Sequence, residues 1–167
     1  MLNKKTLFNG VYALALFGAI TSCIGILNEF LNLVQFWTKG VANLKPYFTK
    51  ESLWIPFVYH LLAFILCAFT VIILVLSVTN RLKGKYARLP NACIIITCVI
   101  IFALSWTLVY PFQYESREGL YSVRPFDYTT LYTFRSLVMS YIASVGTILF
   151  CNITQSIAKK KGIESEQ

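Results

Sequence analysis

Four long apolar stretches, separated by polar links, make up most of this chain. They cover about residues 8–27, 53–78, 91–110 and 131–157. A transmembrane helix needs about 20 mainly apolar residues, and a soluble domain of this size does not carry four such runs. The pattern therefore predicts an all-α membrane protein: a single four-span domain over residues 1–167, folded as an antiparallel four-transmembrane-helix bundle.

Composition agrees with this interpretation. Hydrophobic residues make up 57% of the chain and charged residues 13%, whereas soluble domains have about 45–50% and about 25%. The formal net charge is +8, which by itself is compatible with binding to nucleic acid. The placement of the charges decides against that partner, because the charged residues follow the links between the apolar stretches.

Most basic residues lie in three segments on one side of a four-span protein: before the first span, in the inner turn 79–90, and after the fourth span. The two outer links, 28–52 and 111–130, carry acids as well as bases. The positive-inside rule then places both termini in the cytoplasm and both outer links outside. The membrane that we expect is the plasma membrane. Attraction to anionic lipid accounts for the basic segments without a nucleic acid. Their residues are Lys4, Lys5, Arg81, Lys83, Lys85, Arg88, Lys159, Lys160 and Lys161.

The segment after the first span has apolar residues at spacings of three and four, which predicts a separate amphipathic helix in the outer membrane interface. The alternative is that the first span continues past Phe30 as one long tilted helix. Gly40 and several asparagines favour the separate helix. Pro56 is expected in the first turn of span two, where its missing N–H costs little. The apolar residues are Phe30, Leu33, Val34, Trp37, Val41 and Leu44.

Small residues recur at intervals of four in the first and fourth spans. Side chains of this size let helices approach closely in lipid, so we expect two packing faces. For Asn152, near the inner end of span four, the predicted role is a hydrogen bond between helices. The residues of the predicted packing faces are Gly18, Ser22, Ser136, Ser140 and Ser144.

The five cysteines include no CxxC motif, and Cys93 and Cys98 turn away from each other on a helix. No metal site and no cofactor are therefore predicted. Residues 20–23, with the sequence Ile-Thr-Ser-Cys, fit the pattern that bacterial lipoprotein processing uses. Cleavage and lipidation at Cys23 are thus an alternative to an intact first span.

Ionisable residues inside a membrane are costly, and they are candidates for function. His60 and Arg135 fall at similar depth near the outer face, where we expect a polar vestibule that also includes Tyr59, Tyr132 and Tyr141. Alternatively, His60 is a neutral imidazole bonded within the protein, and Arg135 extends to the headgroups or pairs with an acid. The binding candidates in and beside this region are His60, Tyr121, Arg124, Asp127, Tyr132 and Arg135.

The apolar stretches contain no Asp or Glu, which membrane enzymes and proton-coupled transporters ordinarily use. The sequence favours a non-enzymatic accessory or regulatory protein that binds another membrane protein or a second copy of itself. The alternative is a carrier or binding site for a lipid or small amphiphile between spans two and four. In size, four-span plan and cytoplasmic termini, the chain resembles the immunity proteins that protect bacteria from pore-forming bacteriocins. This resemblance is architectural and rests on no motif.

Overall fold

The structure is a computed structural model that describes residues 4–39, 50–79, 88–107 and 124–160, with side chains described for 8–34, 56–79, 88–107 and 132–158. Its regular elements are all helical. They are α1 (Lys4–Lys39), α2 (Lys50–Val78), α3 (Leu89–Thr107) and α4 (Arg124–Lys160).

Each helix contains a stretch that is long and apolar enough to cross a membrane. These stretches are Phe8–Val34, Pro56–Val78, Leu89–Thr107 and Tyr132–Ala158. The shortest has 19 residues, and a rise of 1.5 Å per residue gives it a length of about 28 Å, close to the thickness of the hydrocarbon layer. The all-α class and the four helices of transmembrane length are thereby confirmed.

The first helix differs from the prediction. α1 continues without a break from Lys4 to Lys39, so the expected separate helix does not begin near Phe30. The physical reason is that residues 28–39 contain neither glycine nor proline, and asparagine weakens a helix by only about half a kcal/mol. The part of the predicted helix from Gly40 onward lies outside the described residues.

Two other helices begin earlier than expected. α2 begins at Lys50, so Pro56 lies inside the helix rather than in its first turn. Its missing N–H removes one backbone hydrogen bond there. α4 begins at Arg124, which makes the last part of the predicted outer link helical. Pro125 is the second residue of α4, and a proline is tolerated in the first turn.

The four helices share one core. α1 packs against α2 and α4, and α3 packs against the same two helices. Small side chains fill much of the interior where α1 and α2 meet, including Ala15, Ala19, Ala63 and Cys67. Elsewhere the core contains large side chains such as Phe134 and Tyr141, and many other large apolar side chains are exposed on the outside of the helices. This distribution suits a protein in lipid, where close helix packing and not removal of apolar surface from water brings helices together.

Candidate functional site

The contact between α1 and α4 is made by small residues, and we call it the α1–α4 seam. A Cβ atom built on Gly18 would lie 2.7 Å from the Ser144 hydroxyl oxygen. Ser22 donates a hydrogen bond of 3.0 Å to the Ser140 hydroxyl. The contacts run in opposite directions along the two helices, because residue numbers rise on α1 as they fall on α4.

The seam continues toward the end of α1 at Gly25. A Cβ atom there would lie 2.6 Å from a methyl carbon of Leu137, so the absence of a side chain lets that leucine fit. Four of the five residues predicted as packing faces belong to this seam. Ser136 is exposed and makes none of the contacts described above. Gly25 was not among the predicted packing residues, although its spacing of seven from Gly18 places it on the same side of the helix.

Two polar contacts cross the middle of the core. The Thr70 and Thr97 hydroxyl oxygens lie 2.7 Å apart and join α2 to α3. The Tyr141 hydroxyl on α4 donates a hydrogen bond of 3.0 Å to the Cys67 carbonyl on α2. Tyr141 is fully buried, so it lies in the core and not in a vestibule.

A further polar contact ties the start of α3 to the last turns of the α4 apolar stretch. The Asn152 side-chain amide donates a hydrogen bond of 2.8 Å to the Asn91 side-chain oxygen. The sequence indicated a packing role for Asn152 but did not identify its partner. Asn91 is near the start of one apolar stretch and Asn152 is in the last third of the other. In antiparallel helices these two positions lie at the same level, which is the signal that could have paired them.

His60 lies in the core between α2 and α4. Its Nδ1 is 2.8 Å from the Pro56 carbonyl oxygen, and its ring centroid is 4.0 Å from that of Phe134. A carbonyl oxygen only accepts hydrogen bonds, so Nδ1 is the donor, and a neutral ring then has a lone pair on Nε2. Within the described part of the chain, this buried Nε2 has no hydrogen-bond partner.

Arg135 makes its contacts with α3. Its Nε donates a hydrogen bond of 2.9 Å to the Ser105 carbonyl oxygen, and its guanidinium carbon lies 5.3 Å from the centre of the Trp106 ring. That carbonyl is among the last four of α3, which an α-helix leaves without an intrahelical partner. Arg135 therefore joins α4 to the C-terminal end of α3.

The described side chains do not form the predicted vestibule. His60 is 0% exposed and packs in the core, whereas the Arg135 guanidinium lies against Trp106 near the protein surface. Tyr132 is 77% exposed, and Tyr59 is half-buried. Their similar predicted depth did not bring these residues together, because they occupy different sides of their helices.

The other predicted residues divide between the described and undescribed parts of the chain. Arg124 and Asp127 lie in the first two turns of α4, but their side chains are outside the described set, as is all of Tyr121. Cys23 lies inside unbroken α1, with its side chain buried in the core. No group of three or more His, Cys, Asp or Glu residues in the described ranges is arranged to hold a metal ion.

In comparisons with known proteins, no family model, no curated protein and no solved structure matches the chain. An assignment of function therefore depends on the physical chemistry of the helices and their contacts.

Proposed function

We propose that this chain is an integral protein of the plasma membrane, with its four helices in an antiparallel bundle and both termini in the cytoplasm. Two observations support the arrangement. Contacts along the α1–α4 seam rise on one helix as they fall on the other. The Asn91–Asn152 and Ser105–Arg135 contacts show the same opposition between α3 and α4. The distribution of basic residues supports the orientation.

We further propose that the protein acts without catalysis, as an accessory, regulatory or immunity-like partner of another membrane protein. The observation that carries this proposal is the pairing of polar side chains inside the spans. Most of them bond to a neighbouring helix of the same chain or to their own backbone, where they stabilise packing. The contacts between helices are Ser22–Ser140, Thr70–Thr97, Tyr141–Cys67, Asn152–Asn91 and Arg135–Ser105.

A pathway for ions or a catalytic centre needs polar groups that are available to the substrate. Groups that already bond to each other serve this purpose poorly. The surfaces left for function are then the links and the outward faces of the helices. An outward face in lipid binds another helix best where its side chains are small.

One strip of the outward face of α4 has this character. Ser136, Ala143 and Thr147 are exposed along it, and a Cβ atom at the neighbouring Gly146 would meet nothing within 4 Å. Two larger side chains, Met139 and Phe150, are exposed beside this strip. Large residues occupy the corresponding face of α2, where Ile65 is exposed. We therefore assign the partner contact to α4, together with the outer link that precedes it.

Native mass spectrometry tests the partner proposal on tagged protein extracted from its native membrane in a mild detergent. We expect the intact chain with one further polypeptide in fixed ratio. Ala143→Leu fills the small face of α4 and is expected to remove that polypeptide. The matched control is Ala13→Leu, since Ala13 is exposed on α1. The intact chain alone, under conditions where it remains folded, contradicts the proposal.

The outer link is tested in the same experiment. Tyr121→Ala, Arg124→Ala and Asp127→Ala remove the aromatic and charged groups that the sequence analysis identified there. We expect each to weaken retention of the partner polypeptide while the bundle stays folded. Unchanged retention in all three would confine the partner contact to the membrane-embedded face of α4.

Orientation is tested with fusions to the C-terminus in a bacterial host. A fluorescent protein that matures only in the cytoplasm is expected to be bright there, and a fused alkaline phosphatase is expected to be inactive. The converse result, an active phosphatase with a dark fluorescent protein, contradicts cytoplasmic termini.

A second candidate function is carriage of a lipid or small amphiphile between α2 and α4. The observation that favours it is the buried Nε2 of His60, which has no partner among the described residues. The direct contacts His60–Phe134 and Tyr141–Cys67 argue against it, since they bring α2 and α4 together at two levels. His60→Phe keeps a planar aromatic ring, somewhat larger than imidazole, and removes both nitrogens. A carrier is expected to lose ligand-sized adducts in this variant, and unchanged adducts exclude His60 as a ligand-binding group.

A further inference from the structure

The outer end of α3 and the start of the α4 apolar stretch form a small surface site around Arg135. Its guanidinium is held in place by the Ser105 carbonyl and by the face of the Trp106 ring. Trp106 is 57% exposed, and Phe102 packs beside it with ring centroids 6.0 Å apart. The cation is therefore fixed against aromatic surface that faces away from the core.

Most of the hydrogen-bond donors of the Arg135 guanidinium make no hydrogen bond to a described residue. A guanidinium has five N–H groups, and only the one on Nε donates to a described residue. The terminal nitrogens have no hydrogen-bond or ion-pair partner among the residues whose side chains the structure describes. A charge in apolar surroundings is costly unless it is paired, so the terminal nitrogens are suited to an anionic ligand from outside the chain.

The depth of Arg135 identifies where that ligand would come from. It is the fifth residue of the apolar stretch 131–157. At 1.5 Å per residue, it lies about 6 Å inside the end of that stretch. Arginine side chains at this level reach the headgroup region of the bilayer.

The surface below Arg135 suits an acyl chain. Ile95, Val99, Phe102 and Trp106 follow the spacing of one helical face, and all four are exposed. They form a continuous apolar strip on α3 that runs from Arg135 toward the middle of the span. A free phosphate ion has no apolar part that could pack on this strip, whereas a phospholipid has both a phosphate group and hydrocarbon chains.

We propose that Arg135 binds the phosphate group of an anionic phospholipid in the outer leaflet, with an acyl chain along the strip Ile95–Val99–Phe102–Trp106. The planar guanidinium presents two parallel N–H donors to phosphate oxygens. This inference rests on the proposed membrane embedding, but it is independent of the partner. It also differs from carriage between α2 and α4, because the lipid lies on the outside of the bundle and does not contact His60.

Fluorescence quenching of Trp106 tests the site directly. Trp37→Phe and Trp54→Phe leave Trp106 as the one tryptophan of the chain. This protein is reconstituted into phosphatidylcholine vesicles that contain a small fraction of either brominated phosphatidylglycerol or brominated phosphatidylcholine. We expect phosphatidylglycerol to associate with Trp106 about fivefold more strongly, as one basic residue near the surface implies.

Variants then assign the preference to Arg135. Arg135→Gln is expected to abolish it. Arg88→Gln is the matched control, because Arg88 is exposed beside the opposite end of α3, and it is expected to leave the preference unchanged. His60→Phe is also expected to leave it unchanged, which separates this site from a carrier between α2 and α4. Thermal unfolding of each variant establishes that the protein is folded.

Three results would overturn the proposal. The first is equal quenching by the two lipids in the protein with Arg135 intact, which needs no folded variant. The second is loss of the preference in Arg88→Gln as well as in Arg135→Gln, since general positive charge then explains it. The third is displacement of brominated phosphatidylglycerol by millimolar inorganic phosphate, which would assign the site to free phosphate. Failure of membrane embedding is recognised separately, because the protein would then not float with the vesicles.

Discussion

α1 and α3 both pack against α4, yet the two contacts have opposite chemistry. The α1–α4 seam depends on the absence of side chains at Gly18 and Gly25, because this brings the α1 backbone close to side chains of α4. The α3–α4 contact depends on polar side chains near its two ends, Arg135 at one and Asn152 at the other. A helix in lipid can be held by close packing or by hydrogen bonds, and α4 uses one mechanism on each side.

This comparison predicts different sensitivities. The seam should be sensitive to added volume and tolerant of lost hydroxyl groups. The α3–α4 contact should be sensitive to lost polar groups. Four sets of variants test this difference. For each, the free energy of unfolding is measured in mixed micelles, and the expected effects run from the largest to the smallest.

Gly18→Val should cause the largest loss. The added Cβ atom would lie 2.7 Å from the Ser144 hydroxyl, and that hydroxyl already bonds to the Ser140 carbonyl. Overpacking of this kind costs about 1–3 kcal/mol. Gly146→Val is the matched control, because a Cβ atom at Gly146 meets nothing within 4 Å. Equal losses in the two variants would show that the seam has no special need for glycine.

Arg135→Met should destabilise the α3–α4 contact by about 1–2 kcal/mol, through loss of a charge-assisted hydrogen bond and a partly exposed cation–π contact. Methionine keeps much of the apolar stem, so packing changes little. Arg88→Met removes the same charge at the opposite end of α3 and should change stability by less than about 0.5 kcal/mol. A similar effect from both variants would mean that Arg135 contributes only its charge.

The Asn91–Asn152 hydrogen bond should give a measurable coupling energy in a double-mutant cycle of Asn91→Ala and Asn152→Ala. We expect about 0.6 kcal/mol, the average for such bonds between membrane helices. Asn152→Ala combined with Thr70→Ala should be additive, since Thr70 bonds instead to Thr97. Zero coupling energy between the two asparagines would show that this hydrogen bond does not stabilise the α3–α4 contact.

Ser22→Ala should have the smallest effect, less than about 0.5 kcal/mol, although it removes the hydrogen bond to Ser140. Alanine keeps the small volume on which the seam depends, and helix propensity favours it. Ser136→Ala, at an exposed position outside the seam, is the control and should be neutral. A loss from Ser22→Ala as large as that from Gly18→Val would refute the distinction between the two contacts.

Several features of the fold were predictable because they depend on local sequence. The four apolar stretches agree with the helices to within a few residues at most boundaries, since the length of an apolar run determines whether it spans a membrane. The predicted end of α1 was wrong, because the free-energy cost of an asparagine in a helix is too small to end it. The predicted place of Pro56 in the first turn of α2 was also wrong, because helix starts in polar links have weak signals.

The candidate site was predictable only in part. Small residues at intervals of four marked Gly18, Ser22, Ser140 and Ser144 as packing positions, but their spacing did not say which helix each would meet. His60 and Arg135 were placed at similar depth from their positions along the chain. Their separation follows from the rotation of α2 and α4 about their own axes, which depends on contacts with all neighbours at once.

The sequence by itself determined the number of helices, their approximate ends and the charges that border them, because hydrophobicity and helix propensity act over neighbouring residues. Only the tertiary structure decided that Ser22 meets Ser140, that Asn152 meets Asn91, and that Arg135 joins the end of α3. These pairings depend on the register and rotation of whole helices. Many weak van der Waals contacts set register and rotation together, and no single residue specifies them.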